Sequence, residues 1–350
     1  MKAPRDPKAT LEEVALAAGV SRSTASRVLS YDPRVSPDAR RAVERAVSKL
    51  GYIPNQAGRA LATGRSDAMA LVAPITFLIG DPFFPRLIRG VSDVLASREL
   101  QLILLAVQTG PDADRVERYV AAGHADGVLL VSLPTAHPLA GRLAARGIPV
   151  VVSGPPSESE HVSHVDVDNV GGSTRGVAHL ASGGRRSIAT ITGRQDMPAG
   201  HDRLVGYRAA LEAAGLPYDD SLVEAGDFTR EGGARAMRFL LIKHPRLDAV
   251  FAASDLMAEG ALQALAEAGR RVPEDVAVVG FDDHPMAAML QPPLTSVRQP
   301  VEEIGREMAR LLMDSVQTPD RPPRNVILRT RLEVRASSAP VVPKLGGEAG

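Results

Sequence analysis

Cysteine and tryptophan are both absent from the 350 residues of the chain, and aromatic residues make up only 3% of it. Without cysteine there is neither a disulfide framework nor a cysteine-ligated metal site, which suits a reducing cytosol. No apolar run is long enough to span a membrane, and the first residues, MKAPRDPKATLEE, lack the hydrophobic core of an export signal. We therefore expect a globular, cytoplasmic protein.

Signature motifs of common enzymes are also missing. The sequence has no P-loop, no GxSxG, no HExxH and no GxGxxG that follows a strand. Asp282, Asp283 and His284 resemble an acid/base or metal cluster, but three consecutive side chains seldom converge on one centre. His161 and His164 have a ligand-like spacing that means little outside a helix. We therefore expect no enzyme activity, no metal site and no cofactor.

The formal net charge of zero hides an uneven distribution of charge. Residues 1–65 contain twelve Lys or Arg and six Asp or Glu, a surplus of +6, so the remaining residues carry −6. A basic head on an acidic body indicates that the head meets a polyanion such as nucleic acid. A chain of this length also exceeds one ordinary core, so we expect two or three domains.

The head has the pattern of three short helices. Thr10 and Glu13 form a capping box at the start of the first helix, and Gly19 ends it. Ser21 caps a second helix, and a third covers residues 36–50. Two short helices joined by a tight glycine-containing turn form a helix-turn-helix, whose second helix suits the major groove of DNA.

The segments TLEEVALAAGVSRSTASRVLS and VSPDARRAVERAVSKLGYIPNQAGRALATGRS resemble the DNA-binding head and hinge of the lactose-repressor/galactose-repressor (LacI/GalR) family of transcriptional regulators. The resemblance implies that bases are read by Arg22, Ser23 and Arg27. It implies that phosphates are contacted by Ser21, Thr24, Ser26 and Asn55. An arginine can make a bidentate contact with guanine, whereas serine, threonine and asparagine suit phosphate oxygens.

Residues 54–66 are expected to form a hinge helix and linker. The helix is shorter than two turns and rich in Ala and Gly, so it is marginal alone. The resemblance implies that it folds on operator DNA beside its twin in a homodimer, with Leu61 wedged into a minor-groove base step. The alternative is that Leu61 only packs the linker.

From Met69 onward, short apolar strands alternate with amphipathic helices. The strand candidates are residues 69–73, 102–107, 127–131, 149–153, 187–191, 249–253 and 276–280. The helix candidates include Phe84–Ser97, Asp114–Ala122, Asn169–Ala181, Asp202–Ala214, Glu231–Leu241 and Asp255–Ala268. Strict alternation predicts parallel sheets that bind ligands beyond the carboxyl ends of their strands.

The order of motifs, from DPFFPRLIRGV through VAVVGFDD to PPLTSVRQP, resembles the effector domain of the same family, which is similar to periplasmic sugar-binding proteins. The fold expected is an all-α helix-turn-helix domain (1–53) joined to an α/β effector domain of two parallel-sheet lobes (67–338). The expected boundaries are 67–165 and 300–323 for the first lobe, and 166–297 and 326–338 for the second. The chain is expected to cross between the lobes near 165–168, 297–300 and 323–326. A disordered tail is expected at 339–350.

The resemblance implies that the ligand is contacted by Phe83, Phe84, Arg203, Phe228, Ser254, Asp255, Asp282 and Gln299. Of the two adjacent phenylalanines, we expect Phe84 in the pocket and Phe83 in the core. Asp255 has the alternative role of capping the helix that follows it. Asp283 is expected to be structural. With no tryptophan in the chain, only phenylalanine remains as the aromatic platform for a sugar ring.

The sequence therefore predicts a homodimeric repressor that binds a roughly palindromic operator and responds to a sugar or related metabolite between its lobes. The helix at Phe84–Ser97 and the segment after Leu71 are the expected dimer surface. The alternatives are a solute-binding protein without a transcriptional role, a purine- or nucleoside-responsive corepressor-type regulator, an enzyme with an added DNA-binding head, and an activator.

Overall fold

The computed structural model describes residues 9–29, 32–52, 65–108, 110–135, 137–157 and 161–339. The chain divides into two compact units, with the main boundary between Asp67 and Ala68. The predictions for Asn55, for Leu61 and for the tail at 340–350 lie outside the described residues. Within the described part, no helix combines the length and apolar character needed to cross a membrane.

The first unit contains three helices: α1 (Leu11–Ala18), α2 (Arg22–Leu29) and α3 (Pro37–Leu50). The Thr10 side chain caps α1 in a complete capping box with Glu13, and Gly19 ends the helix at φ +66°. The three helices enclose a small core formed by Val14, Ala15, Ala25, Val28, Val43 and Ala46. They therefore form the helix-turn-helix arrangement that the sequence predicts.

The second unit is an α/β body with two six-stranded sheets, one in each lobe. The first sheet contains β1 (Ala68–Pro74), β2 (Gln101–Val107), β3 (Gly127–Leu130), β4 (Val150–Ser153), β5 (Ser163–Val167) and β11 (Asn325–Leu328). Its order is β11-β5-β4-β3-β1-β2, and all its strand pairs are parallel. Its helices are α4 (Ile75–Gly80), α5 (Phe83–Ala96), α6 (Gly110–Tyr119), α7 (Leu139–Ala145) and α12 (Val301–Gln317).

The second sheet contains β6 (Ile188–Thr192), β7 (Val223–Ala225), β8 (Ala249–Ala252), β9 (Ala277–Asp282), β10 (Thr295–Arg298) and β12 (Arg331–Glu333). Its order is β12-β10-β9-β8-β6-β7, and only the pair β10–β12 is antiparallel. Its helices are α8 (Asn169–Ser182), α9 (Pro198–Ala213), α10 (Arg230–Lys243) and α11 (Asp255–Glu267). Short helical turns cover Val120–His124, Asp220–Leu222, Pro285–Ala288 and Ala336–Ser338.

Two glycines allow α5 and α12 to pack closely in the first lobe. A Cβ atom on Gly90 would lie 2.0 Å from the carbonyl oxygen of Glu302, and one on Gly305 would lie 2.3 Å from that of Leu87. The ion pair between Arg86 and Glu302, at 2.9 Å, joins the same two helices. One face of α5, the helix expected at the dimer surface, is therefore buried within its own lobe.

The chain passes between the lobes three times. The first crossing follows β5 at Asp168, and the second follows β10 at Gln299 and Pro300. The third lies at Arg329 and Thr330, later than the predicted 323–326, because β11 pairs with β5 and so belongs to the first sheet. The sequence prediction placed this crossing too early, since a short edge strand with no alternating pattern gives little signal.

Candidate functional site

A cavity, open to solvent at its mouth, lies between the two lobes of the body. Its walls are built from residues at the carboxyl ends of strands in both sheets, the position at which parallel sheets present loops and helix starts. Its lining combines aromatic side chains with a few polar groups, the composition typical of small-molecule binding sites.

Arg203 on α9 is the buried cation of this cavity, with only 5% of its surface exposed. Its Nε donates to Oδ1 of Asn169 at 3.0 Å, and its Nη1 donates to the carbonyl of Ala253 at 2.6 Å and to Oδ1 of Asp282 at 3.3 Å. The guanidinium carbon lies 3.7 Å from the centre of the Phe281 ring. Burial lowers the pKa of Arg203, and the surrounding carboxylates oppose that shift.

Asp282 ends β9 and faces Arg203. Gln299 donates to its Oδ1 at 2.5 Å. Burial raises the pKa of Asp282, but Arg203 and the neighbouring His284 outweigh that effect, so the pKa lies below its ordinary value. Asp282 therefore remains an ionised acceptor inside the cavity.

Several residues at the cavity have left-handed backbone conformations that side chains other than glycine rarely adopt. Asp282 has φ +113°, Phe228 has φ +67° and Ser132 has φ +53°. Such strain persists only where the surrounding structure imposes it, and it is commonest at functional sites. The backbone thus supports the placement of the site at this cavity.

Six of the eight residues expected to contact a ligand line the cavity, namely Phe83, Arg203, Phe228, Ser254, Asp282 and Gln299. Phe84 does not, because it is fully buried in the core of the first lobe on the same face of α5 as Leu87 and Val91. Its ring meets that of Phe83 edge-on, with the centroids 5.8 Å apart. The expected roles of the two phenylalanines are thus reversed, because packing against the lobe core sets the rotation of α5.

Asp255 also lies outside the cavity lining. Its Oδ1 accepts from the hydroxyl of Ser296 at 2.5 Å, and its Oδ2 accepts from the backbone N–H of His284 at 2.8 Å. The cap of α11 is Ser254, whose hydroxyl accepts from Met257 N at 3.2 Å. Burial and the proximity of Asp282 raise the pKa of Asp255. Asp255 is therefore neither the helix cap nor a group exposed to a ligand.

Sequence reasoning missed several polar residues that the fold brings into the cavity lining: Asp81, Ser132, Ser153, Asp166 and Asn169. Burial raises the pKa of Asp81 to about 6, and Asp282 adds to that shift. Burial likewise raises the pKa of Asp166 to about 6. The sequence offered a reason to consider two of these residues as part of the site. Asp81 opens the DPFF motif, and Asp166 falls in the predicted first crossing.

Asp283, expected to be structural, is buried and paired with two arginines. Its carboxylate oxygens accept from Arg298 at 2.5 Å and from Arg335 at 2.6 Å. Within the described ranges, no group of three or more His, Asp or Glu side chains is arranged to hold a metal ion.

In the first unit, the residues expected to meet DNA lie on α2 and at its start. Ser21, Arg22, Ser23, Ser26 and Arg27 are exposed. The Ser21 hydroxyl accepts from the backbone N–H of the half-buried Thr24 at 3.1 Å, and this bond caps the helix. Arg22 forms an exposed ion pair with Glu12 at 2.6 Å. Such a pair is weak, so it leaves the guanidinium available for a stronger partner.

Comparison with known proteins gives matches to both units. Residues 10–55 match the model of bacterial regulatory proteins of the lacI family, and residues 177–338 match a periplasmic binding protein-like domain. The HTH-type transcriptional regulator CelR of Thermobifida fusca is 49% identical over 337 residues, which cover 95% of this chain and 99% of that protein.

Two further matches agree with these. The HTH-type transcriptional repressor CytR of Escherichia coli (strain K12) is 35% identical over 321 residues, covering 91% of this chain and 93% of the repressor. A solved structure of the transcriptional regulator CelR in complex with cellobiose superposes with a TM-score of 0.76 and 48% identity, covering 94% of this chain and 99% of that one.

Proposed function

The chain belongs to the lacI family of bacterial regulatory proteins, and we propose that it is a homodimeric, operator-binding repressor whose effector is a disaccharide bound between the lobes of its body. A helix-turn-helix transcriptional regulator of this kind acts in the cytoplasm, where it meets DNA, and it is not an enzyme.

The observation that carries the effector proposal is the composition of the interlobe cavity. Phe83 and Phe228 offer flat apolar surfaces, while Arg203, Asp282 and Gln299 present a connected set of donors and acceptors. Paired carboxylate and guanidinium groups suit vicinal hydroxyls, and aromatic faces suit the C–H faces of sugar rings. The cellobiose complex of a relative with 48% identity supports a disaccharide rather than a single ring.

The proposed DNA contacts follow the exposed face of α2. Arg22, Ser23 and Arg27 read base edges in the major groove, and Ser21, Thr24 and Ser26 contact phosphates. Asn55 is a further phosphate contact, and Leu61 intercalates in the minor groove. Two heads related by a two-fold axis require a roughly palindromic operator.

Binding of candidate effectors tests the proposal directly. We would measure thermal shifts and calorimetric affinities of the full chain with cellobiose, ribose and adenosine. At about a thousand times its dissociation constant, a ligand adds roughly 4 kcal/mol of stability. We expect cellobiose to stabilise the protein, Asp282→Asn to abolish that effect, and the exposed control Asp320→Asn to retain it.

Operator binding in the presence of the ligand then separates the possible modes of regulation. Loss of binding to an operator selected from random duplexes identifies an inducer, and tighter binding identifies a corepressor. Stabilisation by adenosine alone would replace the disaccharide with a nucleoside. Turnover of a bound ligand would contradict the assignment as a non-enzymatic regulator.

A further inference from the structure

His284 is a buried histidine directly behind the lining of the interlobe cavity. It follows β9 at a distance of two residues from Asp282, and only 1% of its surface is exposed. Among the residues that the structure describes, neither Nδ1 nor Nε2 of its ring has a hydrogen-bond partner. Buried polar atoms are normally hydrogen-bonded, so two unpaired nitrogens on one ring require an explanation.

The ring faces carboxylates from both lobes. Its Nε2 lies 3.5 Å from Oδ2 of Asp282 in the second lobe and 3.9 Å from Oδ1 of Asp81 in the first lobe. Both distances are longer than the donor–acceptor distance of a good N–H···O hydrogen bond, by about half an ångström for Asp282 and about one ångström for Asp81. A small approach of the lobes would bring Asp81 within hydrogen-bond distance. Asp81 and Asp282 both line the cavity, so the histidine connects two groups that face a ligand.

The charges around His284 favour a cation. The ionisable groups that act on the ring are Asp81, Asp255 and Asp282, and Arg203 lies on the far side of Asp282. Burial by itself lowers the pKa of His284, but Asp282, Asp255 and Asp81 outweigh it, so the pKa is raised. A second cation, beside the Arg203 guanidinium, is therefore favoured among these three carboxyl groups.

We propose that His284 is a positioning residue of the effector site, which as an imidazolium joins Asp81 of the first lobe to Asp282 of the second when the cleft closes. His284 does not contact the ligand itself. It fixes the orientation of these two carboxylates, which face the ligand. This inference rests on the proposed function in one respect, namely that an effector binds between the lobes, and it adds that the bound effector draws them together.

The proposal predicts that effector binding takes up a proton. Closure brings Asp81 nearer to the imidazolium and stabilises the charged form, so the pKa of His284 is higher in the closed state than in the open one. Above the Asp81 pKa of about 6, where that carboxylate is charged, the effector binds most tightly below the open-state pKa of His284. Its affinity falls as the pH rises from the open-state pKa to the closed-state pKa. The loss is about tenfold for each pH unit by which closure raises the pKa.

The first test needs no ligand. Histidine ring nitrogens of the ligand-free full chain are followed by NMR as the pH is varied, with His284→Gln used to assign the signal. Replacing Asp81 with Asn removes a carboxylate near the ring, so we expect the His284 pKa to fall by about half to one pH unit. His164, a buried histidine on β5 with an unpaired Nδ1, is the internal control and should titrate as before. An unchanged His284 pKa in Asp81→Asn would overturn the proposed link between the lobes.

The second test measures the affinity for cellobiose between about pH 6.5 and 9, above the Asp81 pKa of about 6. We expect His284→Gln, which keeps a donor but no charge, to bind several-fold more weakly at low pH and to lose the pH dependence. The control His164→Gln should keep both. A pH profile that persists in His284→Gln would assign it to Asp81 and Asp166 and overturn the role of the histidine.

Thermal melts of each variant exclude simple misfolding, and Asp81→Asn repeats the binding test without altering the histidine. If cellobiose does not bind the wild-type chain at any pH, the disaccharide proposal fails, while the ligand-free titration still decides whether His284 couples the lobes.

Discussion

At the scale of single residues, the cavity shows how a buried charge is kept in place. Arg203 has acceptors in Asn169, Ala253 and Asp282, and an aromatic ring beneath its plane. Because guanidinium is planar and offers several donors in fixed directions, it serves these acceptors at once, which an ammonium group cannot do. The same rigidity holds Asp282 in one orientation at the cavity.

Arg203→Lys keeps the charge and tests this geometry. We expect the affinity for cellobiose to fall at least about tenfold and the free energy of unfolding to fall by about 1–3 kcal/mol, because buried acceptors lose their partners. Calorimetry and urea unfolding measure the two effects. Arg208→Lys, on the exposed side of α9 where the arginine pairs with Tyr218, should be nearly neutral. Equal affinities for wild type and Arg203→Lys would show that only the charge matters.

A second prediction at this scale concerns Asp166, whose pKa burial raises to about 6. The unfolded chain leaves an aspartate pKa near 3.9, so the folded state holds the proton more tightly. The associated stability is complete below about pH 4 and is lost as the pH rises through about 6. Asp166→Asn should therefore stabilise the body by about 1–3 kcal/mol at pH 8 and not at pH 4, as measured by urea unfolding.

The exposed substitution Asp220→Asn provides the comparison for that measurement. A loss of stability in Asp166→Asn at pH 8 would mean that the hydrogen bonds from Val167 N and the Asn169 amide, at 2.7 and 3.0 Å, outweigh the burial of the charge.

At the scale of the elements, α2 is a short helix with one buried side and one exposed side, and the exposed side is the proposed DNA-reading surface. Ala25 and Val28 are buried against α1 and α3, so the helix is held in the unit by its apolar side. The opposite side carries Arg22, Ser26 and Arg27, all exposed. Local signals determine both the start of this helix and the side it exposes, because the capping serine and the apolar spacing lie within a few residues of each other.

Arg22→Ala tests the proposed reading surface. We expect affinity for a selected operator to fall about 5- to 150-fold, the value of one bidentate contact with a base, with little change on random DNA. Fluorescence anisotropy with both duplexes measures the ratio. The matched control is Arg34→Ala, which removes an exposed arginine that pairs with Asp32 outside α2. An equal loss on both duplexes would make Arg22 a phosphate contact.

At the scale of the whole molecule, the three crossings determine how the lobes of the body can move. Arg175 on α8 donates to the carbonyl of Thr330 at 3.1 Å and to Asp168 at 3.3 Å, which ties the first crossing to the third. Gly172 lies beside them, where a Cβ atom would come within 2.8 Å of the Thr330 hydroxyl and 3.0 Å of both Phe281 and Val297. Motion of one lobe against the other must therefore pass through a tightly packed junction.

Gly172→Ala should change the response of operator binding to cellobiose by about two- to thirtyfold, although it removes no group that lines the cavity. The measurement is the ratio of operator affinities with and without the sugar. Gly183→Ala, at the other end of α8 and with only ordinary van der Waals contacts, should leave the ratio unchanged. A normal ratio in Gly172→Ala would show that this junction takes no part in regulation.

The secondary structure along the chain could be predicted from the sequence alone. Local sequence patterns predict the capping box at Thr10, the left-handed Gly19 and the alternation of strands and helices, because each depends on residues a few positions apart. Together with the motif order, they predicted a helix-turn-helix followed by an α/β body of two parallel-sheet lobes, and half of the polar and aromatic residues that line its cavity.

Only the tertiary structure decided which side chains meet in the cavity. Phe83 rather than Phe84 faces it because packing against α12 sets the rotation of α5, while Asp255 turns inward to Ser296 and His284. Asp81, Asp166 and His284 come from segments far apart in the chain and from both lobes, so no local pattern connects them. Burial raises the pKa values of Asp81 and Asp166, whereas nearby carboxylates raise that of His284 against the effect of burial. Both environments exist only once the two sheets are placed side by side.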